Sequence, residues 1–380
     1  MRILLWIVLI AWLLAFFRTL LNLLSTRFLP AAASDDGTLV SVVIPARDEA
    51  RTIERTIRAM LAQTHRNLEL IVVDDRSADQ TGTIADGIAL EDPRLRVIHG
   101  EEPPLGWLGK PWALHQGSAR ASGAVLLFVD ADIVYAPDAV ARAITGFRAS
   151  GAAMMMLVPR FEMRGFWENV LIPQLAVFFF GFLPVWLANR TRIAMLGAGG
   201  GSGNLIDRAV YAEIGGHTAL RDAVVDDVGL ARLVRRSGHP TVVARADDCI
   251  SVRMYHGLRE TIEGFTKNAF AVMGRSYALT LLATAGAIVF HVLPYAVALS
   301  GDRLALTAVA VITLTRVVLF RSLRYPLAYA LFAHPLMVSV WAYIFLRSMW
   351  FTGVQSKLRW RGRTYDAART RFGGDIRAGS

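Results

Sequence analysis

Several scarcities narrow this 380-residue chain before any motif is read. Its single cysteine, Cys249, excludes an intramolecular disulfide and any metal site built on several cysteines. Lysine occurs only at positions 110, 267 and 357, so arginine carries nearly all of the positive charge behind a formal net charge of +10. An arginine-rich balance suits either nucleic acid or an anionic membrane face. No base-stacking or groove-reading motif accompanies the arginines, so nucleic acid is set aside as a partner. Internal repeats and low-complexity tracts are also missing. The glycine-rich stretch Gly197-Ala198-Gly199-Gly200-Gly201-Ser202-Gly203-Asn204 lacks the G-x-x-x-x-G-K-[ST] spacing of a Walker loop. It does not follow the first strand either, which argues against a Rossmann dinucleotide site. Glycines there are read instead as letting backbone approach a substrate closely.

Apolar surface is abundant. Hydrophobic residues make up 54% of the chain and the mean hydropathy is +0.40. Ile3–Leu24 is long enough to span a bilayer, interrupted only by Arg18 and Asn22. It reads as an uncleaved anchor, because the small residues Ala31-Ala32-Ala33 lie too far beyond the apolar core to serve as its cleavage site. Ala278–Leu299, Leu304–Phe320 and Tyr325–Leu346 are further candidate spans, the last with a kink expected at Pro335. Val170–Leu187 is apolar but contains Pro173 and Pro184, with Arg164, Arg190 and Arg192 flanking it. That pattern favours lying in the interface over spanning. The arginine-rich tail and the turns near Arg321 and Arg324 belong on the cytoplasmic side. With a cytoplasmic domain between the anchor and three simple C-terminal spans, the tail would end outside, so one segment must alter the parity.

Between the apolar ends, strand and helix patterns alternate. Val40–Ile44, Leu68–Val73 and Arg94–Ile98 read as strands, with helical spacing between them, which argues for a parallel α/β sheet. Val125–Val129 is five apolar residues in a row, a strand buried on both faces, and it ends at Asp130 and Asp132. Such a pair is either a solvated turn or a hard-oxygen site for Mg²⁺ or Mn²⁺ shared with substrate phosphates. Ligands of open α/β sheets sit beyond the carboxyl ends of the strands, where this pair falls. Lys110, in the loop Leu105-Gly106-Trp107-Leu108-Gly109-Lys110 at a helix start, is placed to meet an anion or is an ordinary solvated lysine. Asp226-Asp227 opens an amphipathic helix, where the acids either cap the helix or form part of a site.

Four acidic stations thus stand at strand ends or helix starts: Asp48/Glu49, Asp74/Asp75, Asp130/Asp132 and Asp226/Asp227. In this order the segments Pro45-Ala46-Arg47-Asp48-Glu49, Val72-Val73-Asp74-Asp75-Arg76-Ser77, Asp130-Ala131-Asp132, Gly203-Asn204-Leu205 and Asp226-Asp227 resemble the family 2 glycosyltransferases of the GT-A fold. The resemblance covers roughly residues 40–243. It implies an α/β, Rossmann-like domain that handles a nucleoside-diphospho-sugar, flanked by N- and C-terminal transmembrane helices. It implies donor binding by Pro45, Arg47, Glu49, Asp74, Asp75, Lys110 and Asp130, with Asp130 facing the ribose and donor sugar. Asp132 would hold the metal, Mg²⁺ or Mn²⁺, on the diphosphate. Asp227 would be the general base, and Gly203, Asn204 and Asp226 would lie on the acceptor side. The donor would be a UDP- or GDP-sugar, and transfer would invert the anomeric centre.

Two positions depart from the family pattern: Asp48 stands for the usual Asn, and Asp226 for the Glu of the Glu-Asp motif. The Gln-x-x-Arg-Trp signature of processive polysaccharide synthases is absent after Asp227. The Leu105–Lys110 loop and the apolar segments at both ends are most similar to hopene-associated glycosyltransferases, and similar to carotenoid and ceramide glycosyltransferases. That similarity implies a lipid acceptor in the bilayer: hopanoid, carotenoid, ceramide-like or polyprenyl. The alternatives are a glycosyltransferase for polysaccharide or cell-envelope glycan, and a non-catalytic membrane scaffold that kept the fold. The expected organisation is an anchor at 1–26, a GT-A domain at 38–275 with an interfacial helix at 170–188, membrane segments at 278–350 and a basic cytoplasmic tail at 351–380. The expected location is the bacterial inner membrane, multi-pass, with the catalytic domain in the cytoplasm.

Overall fold

The computed structural model describes residues 1–33, 37–354, 357–360 and 363–366, and the chain divides into two units. Residues 34–36 and most of the expected tail lie outside the described residues.

The first unit holds Arg27–Glu162 and Leu187–Met254. Its strands are β1 (Val40–Ala46), β2 (Leu68–Asp74), β3 (Leu95–His99), β4 (Val125–Phe128), β5 (Ile133–Tyr135), β6 (Met154–Val158), β7 (Arg160–Phe161), β8 (Asn204–Asp207), β9 (Thr241–Arg245) and β10 (Ile250–Val252). Seven of them form one mixed sheet in the order β3-β2-β1-β4-β8-β6-β9, and β5, β10 and β7 form a smaller one. The strand residues alternate between two cores. Val42, Ile44, Leu70, Val72 and Leu127 enter one cluster, and Val43, Ile71, Val73, Leu126 and Phe128 the other. A strand buried on both faces has no polar side to show, which explains the continuous apolar runs.

The topology collects the acidic stations at one edge. β1, β2 and β4 run parallel, so their carboxyl ends point the same way. Ala46 pairs with Asp74, and Val43 with Phe128. β8 runs antiparallel to β4, with Asn204 opposite Phe128. That reversal returns the glycine-rich loop to the same edge. Pro45 lies inside β1 rather than ending it. It sits past the last pair with β4, where β1 has β2 alone beside it, so its missing N–H breaks no ladder bond on the β4 side.

The second unit holds Met1–Thr26, Met163–Trp186 and the residues from Tyr255 onward. Residues 255–275 and 163–186 therefore group with the helices, not with the sheet. Among the described residues, three helices are long and apolar enough to cross a membrane: Arg2–Ser25, Tyr277–Ala298 and Arg303–Ser322. The stretch expected to span at 325–346 is instead two helices, Leu327–Phe332 and His334–Ser348. Pro335 opens the second of these in its first turn, where its missing N–H costs no helical bond.

The polar interruptions in the first helix have a structural reason. Asn22 donates to the carbonyls of Phe180 and Leu183, at 2.7 Å each, and accepts from the Trp186 N–H at 3.0 Å. Arg18 donates to the Gly181 carbonyl. Phe180 and Gly181 lie in the last turn of the short apolar helix Pro173–Phe182, where carbonyls have no intrahelical donor. In an apolar medium they need partners, and Asn22 and Arg18 supply them.

Candidate active site

The stations that follow β1 and β2 come together as a knot of hydrogen bonds to backbone. Asp48 adopts a left-handed conformation at φ 53°, which Asn and Asp tolerate better than other side chains. Its carboxylate accepts from the Ala78 N–H at 2.8 Å, and its own N–H donates to Ser77 Oγ at 3.0 Å. An acceptor is all that contact with Ala78 requires, and the Asp48 carboxylate supplies it. Glu49 donates its N–H to Thr81 Oγ1 at 2.8 Å and accepts from Thr52 Oγ1 at 3.0 Å. Arg47 reaches across to the carbonyls of Asp75 and Arg76. Asp74 accepts from the Ser77 N–H, and the Asp75 N–H donates to the Ala46 carbonyl. Pro45, Arg47, Glu49, Asp74 and Asp75 therefore share one corner of the sheet edge.

The centre of the edge is a charged cluster around Lys110. This residue lies in the first turn of the helix Gly109–Ser118. Its Nζ is 2.7 Å from Asp130 Oδ1 and 3.9 Å from Asp226 Oδ1. Burial alone would lower its pKa. The carboxylates of Asp130, Asp226 and Asp227 outweigh burial and hold it above the ordinary lysine range. The reading of Lys110 as a freely solvated lysine is thus replaced by a built position between carboxylates.

Asp226 and Asp227 open the helix Asp226–Arg236 side by side, yet their environments separate them. Burial opposes ionisation of Asp226, but Lys110 and then His217 stabilise its carboxylate, and its pKa falls below the usual value. Asp227 is pushed up to about 6, first by burial and then by the neighbouring charge of Asp226, with Asp130 adding to it and Lys110 offsetting part. Two adjacent carboxylates driven apart in this way are a common mark of an acid–base site.

The glycine-rich loop packs against the cluster itself. The Asp130 N–H donates to the Gly201 carbonyl at 2.8 Å. A Cβ on Gly201 would fall onto the Asp130 carboxylate, and one on Gly199 onto the backbone carbonyl of Asp227. At these two positions the glycines admit the protein's own carboxylate segments. Asn204 braces the same loop, donating to the Gly200 carbonyl at 3.1 Å and accepting from its N–H at 3.3 Å. Gly203 precedes it at the start of β8, and its N–H donates to the Gly200 carbonyl. Asp132 lies in the turn between β4 and β5, two residues beyond Asp130.

Sequence reading missed His217. It sits in the short 3-10 turn Gly216–Leu220, almost fully buried, with Nε2 3.7 Å from Asp226 Oδ2. The only signal was a histidine between Gly215-Gly216 and the acidic pair, too far upstream of the pair for any local rule to join them.

Among the described residues no three His, Cys, Asp or Glu side chains converge as a ready metal cage. A cation shared with substrate phosphates needs fewer protein ligands, usually one or two carboxylates. The hard oxygens of Asp132, next to a cluster rich in carboxylate, fit that role.

The fold is the GT-A type of α/β domain, with the acidic stations gathered at one sheet edge. Residues 41–205 match the family described as Glycosyl transferase family 2. Among curated proteins, glycosyltransferase AglD of Haloferax volcanii is 40% identical over 109 residues, 27% of this chain and 17% of that protein. Glycosyltransferase GlyG of Streptococcus pneumoniae is 35% identical over 94 residues, 25% of this chain and 30% of that protein. The chain thus spans less than a third of these two relatives. A 4,4'-diaponeurosporenoate glycosyltransferase of Staphylococcus aureus is 23% identical over 347 residues, 87% of this chain and 89% of that protein. Among solved structures, the mannosyltransferase PcManGT from Pyrobaculum calidifontis, in complex with GDP-Man and Mn²⁺, aligns over 90% of this chain and 95% of its own at TM-score 0.54 and 19% identity.

Proposed function

We propose that the chain is a membrane-bound inverting glycosyltransferase that moves a sugar from a nucleotide-sugar donor to a lipid acceptor. The observation that carries the reading is the gathering at one sheet edge of Lys110, Asp130 and the helix-opening pair Asp226-Asp227, with Lys110 Nζ 2.7 Å from Asp130 Oδ1 and 3.9 Å from Asp226 Oδ1.

The corner made by Pro45, Arg47, Glu49, Asp74 and Asp75 binds the UDP or GDP moiety, and Asp130 faces the ribose and donor sugar. Lys110 stands where a leaving diphosphate gathers charge. A divalent cation, Mg²⁺ or Mn²⁺, held by Asp132 would offset that charge when bound. Asp227 takes the proton of the acceptor hydroxyl. The acceptor oxygen then forms its bond to the anomeric carbon while the bond from that carbon to the diphosphate oxygen breaks, and the electron pair leaves with the nucleoside diphosphate. Attack from the face opposite the leaving group inverts the anomeric centre. Gly203 and Asn204 hold the loop that borders the acceptor side, and Asp226 keeps the base in place.

Two features support a lipid acceptor: three helices long enough to cross a membrane, and similarity over most of the chain to a glycosyltransferase named for a carotenoid acid. Arginines near the C-terminal helices support a cytoplasmic catalytic domain in the bacterial inner membrane. The test uses the full chain purified in detergent and a panel of UDP- and GDP-sugars, with and without chelator. The expected result is metal-dependent hydrolysis of one donor, and label from that donor entering the organic phase when membrane lipid extract is added. No metal-dependent binding of any donor would overturn the reading. Label entering only water-soluble polymer would move the acceptor to envelope polysaccharide.

A further inference from the structure

A chain of buried polar groups runs away from the carboxylate pair on the side opposite Lys110. His217 is 1% exposed and Tyr211 8%. His217 Nε2 lies 3.7 Å from Asp226 Oδ2, a close electrostatic contact just beyond hydrogen-bond length. On the other side of the ring, Nδ1 is 2.7 Å from the Tyr211 hydroxyl. The same hydroxyl accepts from the His217 N–H at 3.1 Å and lies 3.0 Å from Ser118 Oγ. Phe128 of β4 packs edge-on to the imidazole at 4.9 Å. The ring is therefore fixed in plane and position, hydrogen-bonded at Nδ1, with Nε2 facing the Asp226 carboxylate.

We propose that His217, held by Tyr211 and Ser118, is a positioning residue that fixes the Asp226 carboxylate so that the neighbouring Asp227 serves as the base. This deepens the glycosyltransferase reading and rests on it. The physical need is clear. Asp226 is buried, and a buried carboxylate without donors or cations takes a proton or turns away. Lys110 meets one of its oxygens and His217 the other. With a cation 3.9 Å from one oxygen and an imidazole 3.7 Å from the other, ionisation of Asp226 is favoured. The charged and titratable groups around the pair are Lys110 and His115 on the helix Gly109–Ser118, Asp130 after β4, Tyr211 on the helix Arg208–Glu213, and His217 itself.

The role is distinguishable from mere packing. Removing the imidazole takes away a group that favours the ionised pair, so the pair accepts its first proton at higher pH. The sign follows: loss of a nearby group that favours the carboxylate raises the apparent value. His217→Phe keeps a ring beside Phe128 and removes both nitrogens. His217→Gln keeps an N–H close to the place of Nε2. Tyr211→Phe keeps the packing and frees Nδ1.

The experiment is the pH profile of metal-dependent donor hydrolysis by the full chain in detergent. Expected for His217→Phe is an acid limb raised by about one pH unit, with a lower kcat and an unchanged donor KM. His217→Gln restores the wild-type limb, and Tyr211→Phe moves it part of the way. If His217→Phe does not fold, His217→Gln and Tyr211→Phe decide by the same readout. An acid limb unmoved in His217→Phe, or in Tyr211→Phe where it alone is measurable, overturns the proposal while an inactive Asp227→Asn leaves the base assignment standing. An Asp227→Asn enzyme with full activity overturns the base assignment instead.

Discussion

At the scale of single residues, the proposed function turns on one carboxylate whose affinity for a proton is raised and one ammonium held among carboxylates. As the proposed base, Asp227 acts only when ionised, so donor turnover should fall as pH drops through about 6, read as the acid limb of kcat/KM. Asp227→Asn should lose roughly 10²- to 10⁴-fold in turnover with donor affinity kept. The same shift has a stability signature. A carboxyl whose folded value exceeds its unfolded one destabilises the fold above both values and ceases to do so below them. Asp227→Asn should therefore raise Tm at pH 8 and raise it less at pH 5, measured by thermal melts in detergent. Lys110 offsets part of the charge that lifts Asp227, so Lys110→Met should move the acid limb above 6. A limb that stays put or moves down would remove Lys110 from the cluster's electrostatics.

At the scale of elements, close approach sets the tolerances. The Gly199–Gly201 turn leaves no room for a methyl group against Asp130 or the Asp227 backbone. Gly201→Ala should cost about 1–3 kcal/mol, or displace the Asp130 carboxylate, and in either case reduce turnover. Circular dichroism melts beside a donor-binding assay separate the two outcomes. In the helical unit, Asn22→Leu removes the side-chain donor to the Phe180 carbonyl in apolar surroundings. A cost of about 1–2 kcal/mol is expected, read as lower Tm in detergent with no shift in the pH limb of hydrolysis.

At the scale of the whole molecule, one chain carries a nucleotide-sugar fold and helices of membrane length. The expected behaviour is partition with membranes, resistance to high salt and alkaline carbonate, and release by detergent. Release by salt alone would mean that the arginine-rich charge, and not the apolar helices, holds the chain to lipid.

The acidic stations, their order along the chain and the strands that carry them were legible in the sequence, because buried strands must be continuously apolar and turns must follow them. The first helix and the two membrane-length helices near 278 and 304 were legible because long, mostly apolar segments have few other uses. Three things were decided only by tertiary structure. β8 runs against β4, and that reversal brings the glycine-rich loop onto Asp130. Arg18 and Asn22, read as flaws in a span, are donors for the end of another helix. His217 joins the site from nine residues upstream, by way of a buried tyrosine. Local pattern records what each segment buries and how it turns. Which charges then share one desolvated space depends on how distant segments pack, and that packing is what divides Asp226 from Asp227.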